Sequence, residues 1–127
     1  MSQLQLKQND DYDKILHISI KLVVLQNLRI CYFNELDQDL PQETKNFRSC
    51  CILDEIKLIL DNLVPYIQWL ANIDSGDVIV NKPIRDGVDK LIPDLDEYYQ
   101  FTLEEVRKKE ERLRLINLER SIFANEQ

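Results

Sequence analysis

The sequence predicts an all-α fold: a bundle of three long helices plus one short helix, with a long C-terminal helix of partly coiled-coil character. Three observations lead there. The 127 residues hold only two glycines and four prolines, a shortage of turn formers that argues for few, long elements. Apolar residues recur at steps of three and four over long stretches, the period of a helix with one buried face. Clear loop signals fall in only two places, "DQDLPQET" at residues 37–44 and "NIDSGDVIVNKPIRDG" at 72–87, the second carrying both glycines. With 44% hydrophobic and 31% charged residues, the chain fits a single domain with one modest core. That helical domain is expected over residues 11–127, after a flexible N-terminal tail at 1–10.

The first helix is expected over 11–36. Ile15, Ile18, Leu22, Val23, Val24, Leu25, Leu28, Ile30, Cys31, Tyr32 and Phe33 leave only a narrow polar edge, the pattern of a central element covered from several sides. Its "ISIKLVV" stretch also has the partial alternation of a strand. After Pro41, with Thr44 as a candidate cap, a second helix is expected over 45–73. Ile52, Ile56, Ile59, Leu60, Leu63, Ile67 and Leu70 make one apolar face along it. Pro65 deprives the Asp61 carbonyl of its donor and predicts a bend there. "DVIV" at 77–80 would suit a short strand but has no evident partner. A short third helix near 83–92 and a long fourth over 94–123 complete the chain, the fourth with Leu95, Tyr99, Leu103, Val106, Leu113 and Ile116 as its inward stripe. Its middle is well solvated, with Glu104 and Glu105 four residues before Lys108 and Lys109.

Charge and chemistry exclude several functions. A net charge of -7 and a pI of about 4.7 oppose a direct grip on nucleic acid or an anionic membrane. The most apolar window, residues 15–33, contains Lys21, Asn27 and Arg29, interruptions that argue against a bilayer span. The chain start lacks the charge and apolar pattern of a secretory signal. Three cysteines, two of them adjacent at 50 and 51, read as reduced, largely buried thiols, so an intracellular location, cytoplasm or nucleus, is expected. His17 is the one histidine. It removes His-rich zinc sites and leaves any Ser or Cys nucleophile a single candidate base, so no cofactor, no metal and no catalytic residue is expected. The acids of "IDSGDVIV" miss the ligand positions of a calcium loop, and Gly76 and Gly87 make no phosphate loop. Carboxylate pairs such as Asp54 with Glu55 read as solvated faces.

What remains are surfaces. In "EEVRKKEERLRLINLERSIF", Leu115, Leu118 and Ile122 form a second apolar stripe opposite the one that Ile116 and Phe123 continue. Residues 102–127 are therefore expected to protrude as a partner-binding helix anchored by Leu115, Leu118, Ile122 and Phe123, unless this end tucks into a groove of its own bundle. Leu58 and Trp69 point off the second helix's apolar face and form a second candidate anchor. Three cations against seven acids give residues 73–101 a net -4. Asp94, Asp96, Glu97 and Tyr98 there form a candidate acidic patch for a basic partner. The function expected is a non-enzymatic helical subunit or adaptor of an intracellular complex, using a protein partner or self-association through the C-terminal helix. The alternative is an acidic inhibitor or regulator covering a basic enzyme surface. A small enzyme working through carboxylates is a third class.

Overall fold

The computed structural model describes residues 2–126. These form four helices: α1 (Gln3–Leu36), α2 (Gln42–Asn62), α3 (Val64–Asp74) and α4 (Lys82–Glu126). Three are long, one has 11 residues, and the described residues contain no strand. Thus "ISIKLVV" is helical, inside α1, and "DVIV" lies in the loop before α4. The chain runs up α1, down α2 and α3 and up α4. Arg29 meets Glu97 and Tyr32 meets Glu105 between the parallel α1 and α4, while Tyr99 reaches back to Leu60 on α2.

The expected tail at 1–10 is helical from Gln3. A capping box starts α1 early: Gln5 N–H donates to Ser2 Oγ at 3.2 Å, and the Gln5 side chain accepts from Ser2 N–H at 3.1 Å. Likewise α2 begins at Gln42, not near 45, because Pro41 is extended and its carbonyl takes the Lys45 N–H at 3.1 Å. Thr44 then falls inside the first turn and caps nothing.

The two interior prolines act in opposite ways to the expected ones. Near Pro65 the helix breaks at Leu63, whose carbonyl accepts from Tyr66 and Ile67 N–H and starts α3 afresh. At Pro93 the expected boundary is missing, and 83–92 and 94–123 are one helix of 45 residues. Proline forfeits one helical hydrogen bond, but Val88, Leu91, Leu95 and Tyr98 are all buried in a single line across it. That shared burial holds both sides in register.

The core is built from Ile18 and Leu25 of α1, Ile56 and Leu60 of α2, Leu63 at the joint, Leu70 and Ile73 of α3, and Ile84, Val88, Leu91, Leu95 and Tyr98 of α4. Gly87 lets α1 and α4 approach closely, since a Cβ there would stand 3.1 Å from Ile15 Cδ1. Asn81 caps α4 through its Oδ1, which accepts from Ile84 N–H at 3.0 Å. At the upper end, Tyr32 Oη donates to Glu105 Oε2 at 2.7 Å, and Lys108 pairs with the same carboxylate at 3.3 Å. Glu35 Oε2 lies 3.2 Å from Arg48 Nε as an ion pair whose alignment makes no hydrogen bond.

α1 is not the covered central element that its composition suggests. Ile18, Leu25 and Tyr32 are buried, but Leu16, Ile20, Val23 and Ile30 on the other side are each more than half exposed. Its interruptions do not disqualify it as a span by length and composition either, since an 18-residue stretch reaches a mean hydropathy of 1.3, a measure that core helices also meet. Cys31 and Cys51 are exposed and Cys50 half-buried, so the thiols are free but not sequestered.

Candidate functional site: the free end of α4

A 45-residue helix is about 67 Å long, longer than α1 or α2 can flank. The bundle accordingly gives out before α4 does. Glu105 is the last buried residue of α4, and every residue from 110 to 125 is exposed. The end does not tuck into a groove of its own domain. Leu113, Ile116 and Phe123 on one stripe are 51%, 42% and 66% exposed, and Leu115, Leu118 and Ile122 on the other are 46%, 52% and 50% exposed. Leu113 still borders a shallow groove with Leu53 and Lys57 of α2, and beyond it every side chain to residue 125 is exposed.

The helix holds its shape there by local pairs. Arg107 grips Glu104 and Arg114 grips Glu111, each with a closest N···O distance of 2.7 Å and a second hydrogen bond beside it. The bonded guanidinium holds each of these glutamates below the usual carboxylate range. The spacing is three, not the expected four: Lys108 serves Glu105, and Lys109 reaches Asp54 of α2 at 4.0 Å. Residues 107–127 carry six cations and four acids, a net +2, which leaves -9 on residues 1–106. The cationic excess sits at residues 107–109, beside the bundle, since residues 110–127 carry three cations and four acids and are close to neutral.

The other expected sites fare differently. Leu58 is 54% exposed, whereas Trp69 packs on the core cluster with Lys14 Nζ 5.1 Å above its ring. The break at Leu63 separates the line the two would share on one straight helix. In the acidic patch Asp94 and Asp96 are exposed, but Glu97 bridges Arg29 at 2.8 Å. Tyr98 is 6% exposed beneath the Arg29 guanidinium, 4.5 Å from its ring centroid. Tyr98 is therefore a core residue and offers no ring to a partner, because its position on α4 lies over α1. Burial pushes its hydroxyl pKa up, against the opposing pull of Arg29.

His17 stands at the rim, exposed and tilted against Tyr66 at 5.0 Å. Among the described residues no group of three His, Cys, Asp or Glu side chains converges to hold a metal. A shallow groove between α3 and α4 is lined by Ile67, Leu70, Ile92, Leu95 and Tyr99, with Asp74 and Asp96 at its edge. The sequence reasoning missed the outer face of α1 and Phe47, 71% exposed, and Leu103, expected on the inward stripe of α4, is 64% exposed because Tyr98, Thr102 and Glu105 face the bundle in its place. For α1 a usable signal existed: Asp11, Ile18, Leu25 and Tyr32 repeat every seven residues, so apolar residues half a turn away were surplus to one core. No protein family, curated protein or solved structure compared with this chain matches it.

Proposed function

We propose that this protein is a non-enzymatic helical subunit or adaptor of an intracellular complex, and that the free end of α4 is its binding element. The observation that carries this reading is the pair of opposed apolar stripes on residues 113–123, both clear of the bundle. Two stripes suit a helix held between two walls, a groove in a partner or a pair of its helices, better than a helix lying on a flat surface. Burying six such side chains, each already half covered, stabilises a complex by about 1 kcal/mol apiece before the cost of association. That suits a specific contact of moderate affinity, with either another subunit or a second copy.

The acidic-inhibitor alternative loses ground to two observations: Tyr98 is buried, and Glu97 is engaged by Arg29. The test is a chain ending at Arg112 and, separately, Leu115→Ser with Leu118→Ser and Ile122→Ser. Both are expected to keep the helical signal and to weaken assembly about 100-fold or more. Assembly unchanged in the truncated chain would refute the reading.

A further inference from the structure

The outer face of α1 is a second unpartnered surface, independent of the free end of α4. Leu16, Ile20, Val23, Asn27 and Ile30 follow one another at steps of four, three, four and three, the spacing of a coiled-coil seam. Turning 100° per residue places this seam about half a turn from the buried line Ile18, Leu25 and Tyr32. Leu16, Ile20, Val23 and Ile30 are 58%, 53%, 58% and 51% exposed, and Asn27 is exposed between them. We infer that this seam pairs with the same seam on a second copy of this chain, in parallel and in register, with Asn27 against Asn27.

Charge selects the occupant. Between Ile15 and Asn34 the ionised side chains are Lys21 and Arg29, and both are half-buried toward the bundle, Arg29 on Tyr98 and Glu97. The flanking positions, where coiled coils carry the charges that choose a foreign partner, hold His17, Ser19, Val24, Gln26 and Cys31, with no acid, Lys or Arg among them. Over residues 16–31 an acidic chain therefore meets its own copy with no like charges opposed, the first facing pair of acids being Asp13 just before the seam. A basic protein would find nothing there to pair with, and an anionic bilayer would find no exposed cation.

Asn27 selects the geometry. In a parallel, in-register pair the two amides face each other, and each has a donor for the other's acceptor. In an antiparallel pair Asn27 would face Val23 and lose that bond. Ile20 and Asn27 then occupy the position where β-branched residues and a single Asn favour two parallel strands. A seam of about 15 residues, roughly 22 Å long, covers far less than the ~800 Å² per partner of a standard interface. The dimer is therefore weak and forms at micromolar concentrations or above.

The test uses the full chain with Cys31, Cys50 and Cys51 changed to Ser. Facing positions in a parallel coiled coil lie within disulfide reach, so Asn27→Cys is expected to form an intermolecular disulfide at least about ten times faster than the off-seam control Glu55→Cys. Ile20→Glu with Ile30→Glu is expected to leave the helical signal intact and a monomer by light scattering. In a chain ending at Arg112 the Asn27→Cys disulfide is expected to form as fast as in the full chain, a readout confined to this seam and therefore separate from the α4 contact. Equal cross-linking rates, or a monomer at every concentration up to about 1 mM, would overturn the inference. So would flotation of the wild-type chain with phosphatidylcholine vesicles that Ile20→Glu and Ile30→Glu abolish, since the face would then belong to lipid.

Discussion

Tyr32 and Glu105 form the buried polar link between α1 and α4. The hydroxyl is 2% exposed at the residue level, its partner carboxylate 8%, and their hydrogen bond is 2.7 Å. Tyr32→Phe removes the donor and leaves a buried carboxylate with Lys108 alone, so a loss of about 1–3 kcal/mol is expected in denaturant titrations. Burial first, and then the hydrogen bond to and charge of Glu105, push the Tyr32 pKa up. Tyr98 and Tyr99 shift the same way through burial. A raised tyrosine pKa means that the folded state favours the neutral ring. The stability it contributes is present below the ordinary tyrosine value of about 10 and is lost as pH rises past it. Stability should therefore fall more steeply above pH ~10 in the wild type than in Tyr32→Phe, read from denaturant midpoints across that range. Little of this was legible in the sequence. Tyr98 and Tyr99 are adjacent on one helix, and which of them faces α1 depends on where α1 lies. Tyr99 in fact spans to α2, its hydroxyl donating to the Leu60 carbonyl at 2.9 Å.

Among the elements, α4 shows where local rules yield to packing. Pro93 should interrupt it, yet buried residues on both sides keep it whole. Pro93→Ala, restoring a donor for the Asp89 carbonyl, is expected to raise stability by about 1–3 kcal/mol. At Gly87 two effects oppose each other. Alanine favours helix by about 1 kcal/mol, but its Cβ would press the flexible tip of Ile15 at 3.1 Å, so Gly87→Ala should be near neutral. Gly87→Val cannot give way as easily and should destabilise by about 1–3 kcal/mol, with thermal melts as the measurement. The helices themselves were legible because their apolar period is strong and turn formers are scarce. Their joints were not: the Ser2–Gln5 box sits in a stretch too polar to suggest packing, and the two prolines look alike in sequence. What separates them is that the line Val88, Leu91, Leu95 runs on across Pro93, whereas the chain renews its hydrogen bonding at Leu63. The outer face of α1 was hidden for a related reason. A helix apolar nearly all round reads as fully covered, and only the number of neighbours shows that one side is bare.

At the scale of the whole molecule, an acidic bundle carries a nearly neutral, doubly apolar helix end. The second stripe on that end was legible from spacing alone, but whether a groove of the bundle would cover both lines was not. Which of them the bundle leaves uncovered depends on where α1 and α2 stop, and in the structure it leaves both. Since residues 113–123 contribute nothing to the core, removing everything after Arg112 should change the stability of the monomer by less than about 0.5 kcal/mol. Binding anchored by leucines should also tolerate salt, changing less than about threefold between ~0.05 and ~0.5 M, where a charge-steered contact would weaken steeply. The most direct measurement replaces Leu118 with a photo-reactive side chain in cells that make the protein and maps what it joins. A discrete cross-link to another polypeptide, a different subunit or a second copy, is the predicted result. Cross-links confined to α1 and α2 of the same chain would contradict the account, because the free end of α4 would then be packed on its own bundle.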